Sequence, residues 1–204
     1  MSFHTDRTSS SGRQQRIVRL MDDHAEVVAS LRESVPVLER IAVKMCAALS
    51  GGGKIFWMGN GGSAADSQHL AAELVGRFER DRKPLASIAL SCDTSILTAV
   101  SNDMGYDAVF SRQIEALCCK EDLVIGISTS GSSKNVLEGL MAASFIGTLR
   151  VGFTGKDGGA MKDLVDECLC VSSDNTARIQ EAHILAGHIL CCLVEEELSR
   201  NDED

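Results

Sequence analysis

Residues 54–73, KIFWMGNGGSAADSQHLAAE, decide the fold of this chain. Ile55, Phe56, Trp57 and Met58 form a short apolar run without polar alternation, which reads as a strand buried on both faces. The run ends in Gly59-Asn60-Gly61-Gly62-Ser63, after which Ala64, Ala65, Leu70, Ala71, Ala72 and Leu74 read as a helix. A glycine-rich turn between a buried strand and a helix N-terminus leaves backbone N–H groups unpaired and facing outward, a ready site for an anionic or heavily hydroxylated ligand. Within the helix, His69 and Glu73 stand at i and i+4 and project from one face. Two groups able to bind metal or move protons therefore share a segment with a ligand loop.

Toward the N-terminus, apolar residues recur at helical spacing over 17–49. Pro36 suits a first helical turn and divides the stretch into two helices, with Ser34 as a candidate cap. Two amphipathic helices ahead of the first strand are more than one face of a sheet needs, so they are candidates for packing against another subunit. Residues 1–14, rich in Ser, Thr and Arg, read as a flexible tail. Downstream, 85–90, 123–127, 149–153 and 167–171 read as strands. Residues 94–100, 110–119, 135–145, 161–164 and 177–198 read as helices, and the acidic end at 200–204 as frayed. Strand and helix alternate with short connections and no hairpin signals. The expectation is a single α/β domain over 15–199, a three-layer α-β-α sandwich with a five-stranded parallel sheet and an N-terminal helical extension.

At 204 residues, 44% hydrophobic and 24% charged, the chain is long enough for one sizeable core. A formal net charge of −9 argues against nucleic acid or an anionic membrane as a main partner. No apolar run approaches the roughly 20 residues that cross a bilayer, and the N-terminal residues lack the apolar core of a secretory signal. The 8 cysteines include two adjacent pairs and no CxxC, and most sit in apolar stretches. They read as reduced thiols of a cytoplasmic protein.

Three constellations carry chemistry. Gly59-x-Gly61-x-x-Ala64 formally satisfies a dinucleotide pattern, but the acidic residue expected about 20 positions on is missing, and Asp93 lies about 30 residues after Ala64. A nicotinamide cofactor is therefore disfavoured. Ser128-Thr129-Ser130-Gly131-Ser132-Ser133 follows a strand and precedes a helix. One serine there would suit a helix cap; five hydroxyl residues in six positions supply a phosphate cradle that needs no lysine. The last helix carries Gln180, His183 and His188, two of the chain's 5 histidines. His, Glu and His are suitable zinc ligands, whereas Gln is an uncommon one.

Together NGGSAADSQHLAAE, SNDMGYD, STSGSS and TARIQEAHILAGHIL resemble the motifs of the sugar isomerase (SIS) domain family over about residues 17–198. The resemblance implies a flavodoxin-like fold and a homotetramer with active sites at subunit interfaces. It also implies one zinc ion per subunit, held by His69, Glu73, Gln180 and His188. Substrate contacts carried over position by position are Asn60, Gly61, Gly62, Glu73, Asn102, Asp103, Ser128, Thr129, Ser130, Ser133 and Gln180. The implied activity is aldose–ketose isomerisation of D-sedoheptulose 7-phosphate to D-glycero-D-manno-heptose 7-phosphate, the first step toward a heptose precursor such as lipopolysaccharide uses. Glu73 would be the base at carbon and His188 the partner for the oxygens, with zinc polarising the carbonyl. The alternatives within the family are a scaffold that binds the replication initiator protein, which needs no acid–base pair, and an isomerase for another sugar phosphate.

Gln180 and His188 are eight residues apart, about 12 Å of rise and about 80° in direction on a regular helix. Two ligands of one zinc must each approach within about 2.2 Å. Either the helix is distorted there or the two residues serve one zinc from different chains. The surplus N-terminal helices favour the second solution. It leads to the expectation that each site is shared between chains, so that a separated subunit lacks complete zinc ligation.

Overall fold

The computed structural model describes residues 10–200. α1 (Ser10–Ser30) runs through a 3-10 turn, Leu31–Ser34, into α2 (Val35–Ser50). The alternation follows in the order β1 (Ile55–Gly59), α3 (Gly62–Val75), β2 (Ser87–Ala89), α4 (Thr94–Met104), α5 (Ser111–Leu117), β3 (Leu123–Ile127), α6 (Lys134–Ile146), β4 (Leu149–Gly155), β5 (Glu167–Val171) and α7 (Thr176–Arg200). All strand pairs are parallel and the sheet order is β2-β1-β3-β4-β5. The expected five-stranded parallel sheet with helices on both faces is present.

Strand periodicity sorts the core into two layers. Ile55, Trp57, Leu123, Ile125, Val151 and Phe153 pack with residues of α2, α3 and α7. Phe56, Met58 and Val124, on the other face, pack with Phe110, Ile114, Val136 and Leu140. β1 and β3 are buried along their whole length, as their unbroken apolar runs require.

From β1 the chain steps outward to β2 and returns to β3 on the other side, so the winding direction reverses between β1 and β3. Loops leaving the carboxyl ends of two such strands diverge and leave a crevice, the characteristic ligand position of open parallel sheets. The glycine loop leaves β1 and the serine loop leaves β3.

Several boundaries differ from the sequence expectation. Residues 10–14 of the expected tail belong to α1, while 1–9 lie outside the described residues, as do 201–204 of the acidic end. Ser34 takes the N-cap position of α2 but its hydroxyl makes no capping bond. The strand expected at 85–90 narrows to Ser87–Ala89, because the Leu85 N–H is donated to the Leu74 carbonyl at the end of α3 (3.0 Å). The short helix expected at 161–164 is the 3-10 turn Gly159–Asp163. On α1, Ile17, Val18 and Met21 are more than half exposed and leave an apolar face uncovered. Among the described residues no helix is long and apolar enough to cross a membrane.

Candidate active site

α3 and α7 lie side by side, and Gly187 permits the approach. A Cβ at that position would stand 2.5 Å from a methyl carbon of the fully buried Leu70. Leu70 and Gly187 are the chain neighbours of His69 and His188, so their contact brings the two imidazoles together, with Nε2 to Nε2 at 2.8 Å. Glu73 Oε1 lies 3.4 Å from His69 Nε2. The ligand atoms of His69, Glu73 and His188 all lie within 4.8 Å of one another, a group able to hold a metal ion. Two imidazoles and a carboxylate are a donor set suited to zinc. Two nitrogens on a tetrahedral zinc stand about 3.3 Å apart, so the histidine pair needs to open by only about 0.5 Å to accept one.

All three residues belong to one chain. Helix order alone does not show that α7 packs on α3 with His188 turned toward His69. Gln180, two turns earlier on α7, reaches elsewhere. Its side chain lies against Gly62, where a Cβ would stand 2.5 Å from its Nε2, and Nε2 donates to Asp66 Oδ1 at 3.2 Å. Asp66 was not among the sequence candidates. It is buried, its Oδ2 has no partner, and burial raises its pKa, partly offset by the hydrogen bond from Gln180.

The two loops at the reversal of strand order are tied together. Asn60 Nδ2 donates to Asn135 Oδ1 (2.8 Å), and Asn60 Oδ1 accepts from Asn135 Nδ2 (2.8 Å) and from the Tyr106 hydroxyl (3.1 Å). Asn135 and Tyr106 were also missed, since nothing local distinguishes them from ordinary helix and turn residues. Asn102 and Asp103, on the last turn of α4, are exposed and bond to each other (2.7 Å).

In the serine loop, Ser128 Oγ lies 2.9 Å from Ser133 Oγ and 3.4 Å from Ser130 Oγ, and Thr129 stands between them in sequence. Ser133 is the N-cap residue of α6, yet its hydroxyl makes no capping bond. A serine present only to cap would bond a first-turn N–H. The hydroxyls gather instead at a helix N-terminus, where the orphan N–H groups and the helix dipole favour an anion.

His183, the other α7 histidine, belongs to the core. It is fully buried, and its Nε2 donates to the Thr154 carbonyl (2.9 Å), while Nδ1 has no partner. Burial pushes its pKa down to about 4, so the ring is neutral at ordinary pH.

The SIS domain model matches residues 9–155. The phosphoheptose isomerase of Geobacter metallireducens is 51% identical over 185 residues, covering 90% of this chain and 98% of that protein. Among solved structures, phosphoheptose isomerases from Neisseria gonorrhoeae (40% identity, TM-score 0.86) and Francisella tularensis (33% identity, TM-score 0.87) each align over 90% of this chain and 98% of theirs. The chain belongs to the SIS domain family, the family of these phosphoheptose isomerase relatives.

Proposed function

We propose that the chain is a zinc-dependent aldose–ketose isomerase that converts D-sedoheptulose 7-phosphate to D-glycero-D-manno-heptose 7-phosphate. The observation that carries this reading is the meeting of His69, Glu73 and His188 on two adjacent helices of one chain. It puts a carboxylate and imidazoles at a single metal-capable centre, in a family whose relatives here are named for this isomerisation.

The reaction moves one proton between carbons and one between oxygens. Glu73 removes a proton from C1 of the ketose and returns it to C2 through an enediol. His188 takes the proton from the C1 hydroxyl and delivers one to the C2 oxygen, as an imidazole able to donate and accept can do. His69, Glu73 and His188 would hold a zinc ion, with Gln180 of a neighbouring subunit as the further ligand, and the ion would supply Lewis-acid polarisation of the carbonyl. Ser128, Thr129, Ser130 and Ser133 hold the phosphate with the first-turn N–H groups of α6. Asn60, Gly61, Gly62, Asn102, Asp103 and Gln180 contact the sugar hydroxyls. Asn135 and Tyr106 fix the Asn60 amide so that it meets the substrate in one orientation.

In this reading the protein is a cytoplasmic homotetramer with active sites at subunit interfaces. The apolar face left open on α1 supports the assembly, and eight free cysteines suit a reducing compartment. The scaffold alternative has no observation in its favour. Purified protein supplied separately with sedoheptulose 7-phosphate and with five- and six-carbon ketose phosphates tests the reading. Preferential turnover of the seven-carbon sugar is expected, and preference for a shorter one would reassign the substrate.

A further inference from the structure

Glu195, Arg82 and Phe78 link Glu73 to His188 through the interior. Glu195, 1% exposed, lies seven residues beyond His188 on the same face of α7. Its carboxylate accepts the backbone N–H groups of Phe78 (2.9 Å), Glu79 (2.6 Å) and Arg80 (2.8 Å). Arg82, whose side chain is 3% exposed, brings its Nε to 3.0 Å from Glu195 Oε1. The rest of its guanidinium donates to the carbonyls of Glu73 (3.0 Å), Leu74 (2.9 Å) and Lys83 (2.9 Å). The first two are carbonyls of the last turn of α3, which a cation satisfies while also matching the helix dipole.

The Phe78 ring stacks on the imidazole of His188, with centroids 5.4 Å apart and planes 26° from parallel. One member of a buried ion pair therefore grips the backbone of Glu73, and the other grips the residue whose ring lies on His188. Burial pushes the Glu195 carboxyl up, but the N–H bonds from Glu79, Phe78 and Arg80 and the charge of Arg82 outweigh it and hold the pKa below the usual range. A well-packed apolar pair could fill the same volume at equal or better stability. What such a pair could not do is gather three N–H groups on one side and three carbonyls on the other, and so fix the course of residues 73–83.

We propose that Glu195 and Arg82 form a positioning pair which, through Phe78, sets the His188 imidazole against Glu73. The proposal rests on the isomerase reading, because it assigns the pair a purpose in aligning the two proton-moving groups. The test compares full-length Phe78→Leu, Phe78→Tyr and Glu195→Gln with the wild type, each at a temperature where circular dichroism shows it folded. The readouts are kcat and KM on sedoheptulose 7-phosphate, and the zinc affinity of the metal-stripped protein by competition titration.

Phe78→Leu is expected to lower kcat about tenfold or more with KM within about twofold, and to weaken zinc binding about tenfold, as loss of support behind a metal ligand does. Phe78→Tyr, which keeps the ring, restores both, and Glu195→Gln moves them in the same direction as Phe78→Leu. If kcat and zinc affinity of Phe78→Leu both stay within about twofold of the wild type, if Phe78→Tyr falls as far as Phe78→Leu, or if folded Glu195→Gln matches the wild type in both, the proposal is overturned. Should Glu195→Gln fail to fold, the Phe78 variants decide. Should the wild type not turn over the sugar, the isomerase reading fails, and the zinc affinities alone decide whether Phe78 positions His188.

Discussion

His69 and His188 point their Nε2 atoms at each other across 2.8 Å although 119 residues separate them in the chain. The contact depends on the missing side chain at Gly187. Alanine there gains about 1 kcal/mol of helix propensity, but its Cβ collides with the fully buried Leu70 side chain, and overpacking of this kind costs typically about 1–3 kcal/mol. Gly187→Ala should lose stability on balance and bind zinc about tenfold more weakly, as thermal unfolding and metal titration would report. A variant as stable as the wild type with the same zinc affinity would mean that the close approach of α3 and α7 does not set the site.

Glu73 and His188 meet within one chain, so each active site should take both residues from the same subunit. Glu73→Gln and His188→Gln should each reduce kcat by about 10²–10⁴ while leaving the fold intact. Mixtures of the two inactive variants should stay inactive after demonstrated subunit exchange. Return of activity in the mixture would place the two residues in different subunits.

The hydroxyl cradle should act on binding. Ser130→Ala combined with Ser133→Ala removes two of the three clustered serine hydroxyls and is expected to raise KM about tenfold or more, with a smaller effect on kcat. An unchanged KM in steady-state kinetics would return both serines to a structural role.

His183 gives the fold a pH dependence. Unfolded, its ring takes a proton below about 6.5; folded, it resists until about 4. Between those values the unfolded state binds more protons, so stability falls as pH falls from about 6.5 to 4 and this contribution levels off below. The full loss is on the order of 3 kcal/mol. Denaturant titrations of wild type and His183→Gln across that window should show the wild type losing the larger share. Parallel pH profiles would remove His183 as the cause.

Much of this was legible in the sequence because it is local. Ile55–Gly59 with its glycine loop, and Leu123–Ile127 with its serines, announce buried strands feeding ligand loops, and the i, i+4 spacing of His69 and Glu73 puts them on one helix face. What was hidden depends on which helices meet. Asn135 and Tyr106 become relevant only once α6 and the turn after α4 close on Asn60. Asp66 looks like an ordinary helix carboxylate until Gln180 covers it. The separation of Gln180 from His188 along α7 was readable from helix geometry. That His188 meets His69 and Glu73 within one chain was not, because the packing of α7 on α3 leaves no trace in spacing.

The central claim is that the centre formed by His69, Glu73 and His188 performs a metal-dependent isomerisation. It is tested most directly by following sedoheptulose 7-phosphate conversion in deuterated water with protein as purified, after chelation, and after zinc is restored. The account predicts that the aldose forms, with solvent deuterium entering at C2 in some fraction of turnovers. Conversion should cease on chelation and return with zinc. Undiminished conversion by demonstrably metal-free protein, or none by zinc-loaded protein, would contradict it.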